Sequence, residues 1–186
     1  PWREENSTFE GMAVWGGAAY NLSLEGVAER VEGALVTHDM AEVLGIQPLL
    51  GRDITAEDDQ PGAPGVVLLG HDLWLNRFGG DPDLVGTTLR LDGETYEIIG
   101  ILPEEALFVA EAEVWAPLQL DVDTNPWSWY LNGVGRLKPG VTVQLTWYGA
   151  DGVLGGVDDV VVSQPTDAQG EYRFNGLPAG FFQVDV

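Results

Sequence analysis

The chain has 186 residues, enough for one domain or two small ones. Thirty Asp and Glu against eight Lys and Arg leave a formal charge of −22, with no cysteine and 45% hydrophobic residues. These values exclude disulfides and thiol chemistry, make nucleic acid and anionic lipid unsuitable partners because the surface repels phosphate, and rule out wholesale disorder.

No window of about 18 apolar residues is present, so no membrane span is expected. Residues 1–5 contain neither an initiating Met nor an apolar signal region, and residues 181–186 alternate apolar side chains to the last position. Both termini therefore read as cut from something longer. Lys138 is the only lysine beside seven arginines. An acid excess of this kind fits a salt-rich habitat, where ionic strength screens self-repulsion, and equally an ordinary acidic extracytoplasmic domain from an arginine-favouring genome.

In chain order, residues 9–16 fit either a short helix or a strand and stay open. Residues 29–36 alternate as a strand. Thr37, His38 and Asp39 offer N-cap chemistry to a short helix over 40–44 that stops at Gly45. Residues 47–65 are rich in turn formers and predict a loop. The run Val66 to Leu69, between glycines, reads as a buried strand, and 72–78 as an amphipathic turn or two closed by Gly79 and Gly80. Asp92-Gly93 between the β-prone stretches 87–91 and 94–102 predicts a two-residue hairpin, ended by Pro103. Residues 114–118 and 129–137 read as two more strands. Strands with short helices and no long ones indicate an α+β fold. After Gly140 the pattern changes: strands are expected over 141–147, 160–162, 171–174 and 181–186, separated by turns. That spacing fits a small β-sandwich. Four strands are too few to complete one, so the module is read as partial.

Residues able to carry chemistry are few. His38-Asp39 and His71-Asp72 resemble halves of metal sites, but both lie where a helix begins and no third histidine exists, so helix capping is the favoured reading. Asp121, Asp123 and Asn125 have the spacing of half a calcium loop. Pro126 replaces the turn glycine, however, and Asn132 stands where a bidentate Glu is required, which leaves a solvated acidic loop. Asp151, Asp158 and Asp159 are compatible with calcium, with turn chemistry favoured. Glu104, Glu105, Glu111 and Glu113 raise the idea of paired acid–base carboxylates, but nothing in the sequence brings them together. Trp74, Trp115, Trp127 and Trp129 read as core or partly buried anchors before a sugar-binding face. No phosphate-binding glycine loop and no nucleophile elbow occur. Hence no catalytic, cofactor-binding or metal-ligating residue is assigned, no cofactor is expected, and the chain is not read as an enzyme.

Taken in order, residues 1–140 carry longer motifs. They are Trp2 to Gly11, Val31 to Val36, Leu44 to Pro48, Leu50-Gly51-Arg52, Glu57-Asp58-Asp59, Val66 to Leu69, Arg77 to Pro82, Leu89 to Gly93, Ile98 to Pro103, Val114 to Leu118 and Gly135 to Thr142. This stretch resembles the MacB-like periplasmic core domain of FtsX-type ABC transporter permeases. The resemblance implies a mixed-sheet α+β domain inserted between the first two transmembrane helices of a permease, on the periplasmic side of the membrane. It implies partnership with those helices, with a separate ATP-binding subunit or domain, and with a periplasmic partner protein. It implies coupling of ATP-driven motion to efflux or lipoprotein handling outside, with no catalytic residue of its own.

Residues 140–186 resemble instead the second half of an SdrD/Cna B-type module, on Gly140 to Leu145, Thr166 to Phe174 and Gly176 to Gly180. That implies an Ig-like or prealbumin-like all-β partial sandwich over 141–186, following a core domain over 1–140. A surface adhesin and a secreted carboxylate-dependent hydrolase are the alternatives weighed against the permease domain. The acidity distinguishes neither part, since 1–140 has 24 acids and 7 bases and 141–186 has 6 and 1. It does generate a prediction. The thermal unfolding midpoint, followed by circular dichroism, is expected to rise from low salt to about 1 M NaCl, where the screening length falls to about 3 Å. A midpoint that falls over that range would contradict charge self-repulsion as a destabilising term.

Overall fold

The computed structural model describes residues 7–24, 27–108, 111–121, 131–175 and 177–186. They form two compact units: Met12–Val134, and the described parts of 1–11 with Gly135–Val186.

The larger unit is built on six strands whose ladder closes on itself. β1 (Phe9–Leu24) and β2 (Val27–Val36) form a long antiparallel hairpin, paired from Trp15 opposite Val36 to Leu24 opposite Val27. The segment 9–16, left open by its composition, is thus the start of a 16-residue strand. β2 pairs in parallel with β7 (Val114–Pro117), β7 antiparallel with β4 (Val66–Leu69), and β4 in parallel with β6 (Glu94–Ile101). β6 pairs antiparallel with β5 (Thr88–Leu91), and β5 returns to β1 through Leu22 opposite Leu91 and Ser23 opposite Arg90. Asp92 reinforces that short seam. Its N–H donates to the Asn21 carbonyl at 3.0 Å, and its carboxylate accepts the Asn21 amide N–H and side-chain N–H groups. The Asp92-Gly93 turn is the expected one, with positive φ at both residues (51° and 86°).

Alternation along these strands sorts the apolar residues into two clusters. Tyr20, Leu22, Val31, Val67, Leu69, Leu89, Leu91, Ile98, Ile101, Val114 and Ala116 come from all six strands, and they fill the inside of the ring with Leu73. Ala34, Val36, Val66, Leu68, Ile99 and Trp115 face the other way. They are covered by Met40, Ala41 and Val43 of helix α1 (Met40–Leu44), together with Ile54, Leu102, Ala106 and Ala112. Each residue of β4 is buried, so its expected burial on both faces holds. Ile98 and Ile101 share the inner cluster, against simple alternation, because a bulge shifts the β4–β6 register between Val67–Ile98 and Leu68–Gly100.

Helix α2 (His71–Phe78) supplies Leu73 to the interior and ends at Gly79, as α1 ends at Gly45, each glycine in the left-handed conformation. The expected loop 47–65 contains one departure. Leu50 and Gly51 form a short strand, β3, across Ile101 and Gly100 of β6. A Cβ at Gly100 would lie 2.7 Å from the Arg52 carbonyl and 2.8 Å from that of Leu50, so this close pairing requires glycine. Two 3₁₀ turns, Pro82–Leu84 and Glu104–Phe108, complete the regular elements of this unit. The mixed sheet with short helices is the α+β core expected.

In the second unit, the end of β8 (Asn132–Leu137) runs beside Thr8 and Phe9. The Lys138 N–H donates to the Thr8 carbonyl, and the Phe9 ring lies against Gly135. β9 (Thr142–Trp147) is then flanked on both sides, by β10 (Val160–Pro165) and β11 (Phe182–Asp185), in an antiparallel three-stranded sheet. Thr166, which is buried, locks its base. The hydroxyl donates to the Lys138 carbonyl at 2.7 Å and accepts the Val141 N–H, whose carbonyl takes the Thr166 N–H. The strand expected over 171–174 does not form. Asp167 accepts the Gln169 and Glu171 N–H groups and holds a turn there instead. The strand expected over 129–137 is seen from Asn132 onward, and residues 129–130 lie outside the described residues.

The close pairing of β3 with β6 is testable. Gly100→Ala is expected to cost about 1–3 kcal/mol in urea unfolding, the range for overpacking a filled site. Gly17→Ala, where an added Cβ meets nothing within 4 Å, should leave stability unchanged or slightly raised.

Candidate functional site

The richest polar constellation joins three loops of the larger unit around Asp59. Its carboxylate accepts the Gln119 N–H at 2.8 Å and the His38 N–H at 3.1 Å, with His38 Nδ1 at 3.3 Å. Its side chain is only 11% exposed. Gln119, in the left-handed conformation (φ 46°), donates its side-chain N–H groups to the carbonyls of Asp58 and Ala63. Next to it, Arg52 grips Asp58 with two N–H···O bonds at 2.6 and 3.2 Å, while the Thr55 N–H and hydroxyl donate to the same carboxylate. Burial opposes ionisation of Asp58. The bonds from Arg52 and Thr55 outweigh it and hold the carboxyl below its ordinary range. Asp53, by contrast, is pushed up by burial, against the Ile54 N–H that its carboxylate accepts.

A cavity of about 440 Å³ opens beside this cluster, lined by Leu35, Gly65, Glu94, Tyr96, Pro117 and Gln119 among others. Tyr96 meets Tyr20 edge to face at 6.4 Å, and the Tyr20 ring covers Gly33, where a Cβ would lie 2.6 Å from it. Burial, with Tyr96 and Asp92 adding, pushes the Tyr20 hydroxyl up to about 12. A smaller charged cavity of about 360 Å³ lies between α2 and Glu113, lined by Asp72, Asn76 and Arg77. There Arg77 forms a two-point ion pair with Glu29, with Nε to Oε2 at 2.7 Å and Nη2 to Oε1. The hydrogen bond from Arg77 lowers the Glu29 carboxyl.

The singled-out residues fall as follows. His38 and Asp39 do precede α1, but Asp39 makes no side-chain cap; its carboxylate accepts the Thr37 hydroxyl at 2.6 Å. His71 and Asp72 open α2, whose N-cap is Gly70, also without a side-chain cap. The capping expectation is therefore corrected in mechanism. Thr37 is engaged with Val14 and Asp39, so it holds the β1–β2 corner, and the helix starts lean on tertiary contacts. Glu104 and Glu105 are exposed on a 3₁₀ turn, whereas the Glu113 carboxylate accepts the Glu32 N–H.

Among the described residues, neither histidine and none of Glu104, Glu105, Glu111 and Glu113 joins three ligating side chains at one point. Asp151, Asp158 and Asp159 do, with ligand atoms within 4.8 Å of one another. Each also accepts a loop N–H: from Val153, Ala150 and Gly155 respectively. That is the favoured turn chemistry. Trp115 is fully buried in the outer cluster, and Trp74 packs on the inner one while donating to the Asp81 carbonyl. Both are anchors, as expected. Asp123, Asn125, Pro126, Trp127 and Trp129 lie outside the described residues.

Sequence reasoning missed the Asp59 clamp. Its signal was the pair of short motifs Leu50-Gly51-Arg52 and Glu57-Asp58-Asp59, whose polar members turn out to bond across the same loop. Asp59→Ala is expected to destabilise the fold by about 1–3 kcal/mol in chemical unfolding, the cost of leaving buried donors unpaired. A loss below about 0.5 kcal/mol, the range of ordinary surface substitutions, would show that Asp59 does not hold these loops.

Residues 3–146 match the family model described as the MacB-like periplasmic core domain. No curated protein sequence matches the chain. Among solved structures, the periplasmic region of MacB from Actinobacillus actinomycetemcomitans aligns at 13% identity and a TM-score of 0.54, over 72% of this chain and 60% of that one. The extracellular domain of the ABC-type transporter YknZ from Gram-positive bacteria gives 13% and 0.52, over 71% and 66%. A domain of a protein described as a permease, from Porphyromonas gingivalis, gives 19% and 0.56, over 75% and 66%. The chain thus spans roughly 60–66% of the length of these structures, and at such identities the likeness is one of fold.

Proposed function

This chain belongs to the family of MacB-like periplasmic core domains, and on that premise we propose that it works as the extracytoplasmic, non-catalytic domain of an ABC-type, efflux or FtsX-like permease. Its role is mechanical. The domain takes up motion from the transmembrane helices of its permease, driven by a separate ATP-binding subunit or domain, and passes it to a partner protein or substrate outside the membrane.

The observation that carries this reading is the family match over 3–146, which includes the whole closed ring. Physical support comes from the ring itself. A ladder with both faces packed, seamed by Asp92 and braced by Asp59, transmits force as one body, because packed interiors deform little. Its carboxylates serve loop N–H groups and two arginine forks, which suits a scaffold better than a reaction centre.

The domain boundary we propose lies near residue 140. Residues 1–140 form the core domain, and 141–186 belong to an SdrD/Cna B-like β module of Ig-like kind. Support for the second part is its antiparallel sheet of short strands linked by Asp and Gly turns, most of it beyond the family match. In a permease carrying this domain, replacing Met12–Val134 by a flexible linker is expected to abolish transport while the ATP-binding subunit still co-purifies with the membrane part. Undiminished transport by the deleted protein would refute the coupling role.

A further inference from the structure

Among the described residues the sheet of the second unit has two edges, β10 and β11. At matching rungs of the ladder, β9 is covered: Leu145, opposite Val162, is 5% exposed and Thr146, opposite Val161, 8%. Its neighbour β10 is not, with Val160, Val161 and Val162 at 48%, 52% and 47%. Val160 and Val162 pair with Trp147 and Leu145 and share their face, while Val161 pairs with Thr146 on the other. Among the described residues β10 has a ladder partner on one side only, so its outer row of backbone N–H and C=O groups forms a sheet edge, and stacking a second sheet on one face would not cover Val161.

The opposite edge differs. β11 has four residues and carries Asp185 inside its ladder, a charge of the kind that guards edges. β10 has six residues, and apart from Pro165 at its end it holds no guard of its own. Its charges lie outside the ladder, Asp158 and Asp159 before it and Asp167 after it. Residues 141–186 hold six acids against Arg173 alone.

We propose that the free edge of β10 receives an extended strand from a partner protein, one that alternates β-branched residues and is flanked by lysine or arginine. Backbone N–H and C=O groups of β10 would supply the affinity, its valines the register, and the flanking aspartates the selection for cationic ends. A second copy of this chain is disfavoured as occupant, since two bodies of charge −22 repel.

The test uses the full 186-residue chain and a lysine-flanked peptide of alternating valine and threonine, followed by amide NMR at physiological salt. The expected result is resonance shifts and new exchange protection confined to Val160–Gln164. Val161→Lys, which keeps the apolar face but adds a guard charge, is expected to weaken binding at least about tenfold without changing the circular dichroism. A glutamate-flanked version of the peptide is expected not to bind. Equal binding of that version, shifts spread over the acidic loops with none in β10, or a dimer in sedimentation that Val161→Lys dissolves would each overturn the proposal.

Discussion

Closure of the six-strand ladder is the constraint on which the larger unit depends. The seam is narrow, two residue pairs between β1 and β5, and it holds because Asp92 works twice. Its positive φ turns the β5–β6 hairpin, and its backbone and carboxylate bind Asn21 across the seam. Once the ladder is closed, alternation has a geometric meaning. One set of side chains fills the ring, and the other becomes a surface that α1 and the loops after β3 and β6 must cover. The bulge in β6 and the close Gly51–Gly100 pairing fit the same scheme, since they let β6 present Ile98 and Ile101 inward while β3 pairs antiparallel alongside its last residues.

The acidity of the chain takes on a different meaning within this frame. Many of the carboxylates are acceptors for backbone N–H groups that loops leave unpaired: Asp59 for His38 and Gln119, Asp58 for Thr55, Asp81 for Asp83, Asp158 for Ala150, Asp167 for Gln169 and Glu171. A short loop has few other ways to satisfy its donors, and Asp is the shortest side chain that offers two charged acceptors. The cost is charge repulsion, which salt screens. An acidic composition is therefore in part a consequence of loop construction, which is why it failed to point at any reaction centre.

The two units differ in how their sheets are finished. The ring has ladder partners on both sides of every strand, whereas among the described residues β10 and β11 of the smaller unit each have one on a single side. Thr166 fastens the base of that smaller sheet to the Lys138 turn through a fully used hydroxyl. The consequence is a sheet that is anchored at one end and edged by β10 and β11, with its apolar residues distributed accordingly.

Most of the local elements were legible in the residues. The Asp92-Gly93 hairpin, the four buried positions of β4, the two glycine-stopped helices and the strand over 29–36 follow from turn chemistry and periodicity that act within a few residues. The order of motifs along 1–140 carried the family as well. What local pattern could not decide was anything set by a distant partner. Residues 9–16 are a strand because distant segments lie beside them, β2 at Trp15 and Gly16 and β8 at Phe9. Residues 171–174, with good β character, are not one because Asp167 draws the Glu171 N–H into a turn and, among the described residues, no ladder partner reaches them. Asp59 looked like one acid in a loop until the fold brought His38 and Gln119, 21 and 60 residues away in sequence, to its two oxygens. Propensity and turn geometry are short-range and can be read from neighbours in the chain. Closure, bulge register and polar clamps depend on which residues meet in space, and only the tertiary structure decides that.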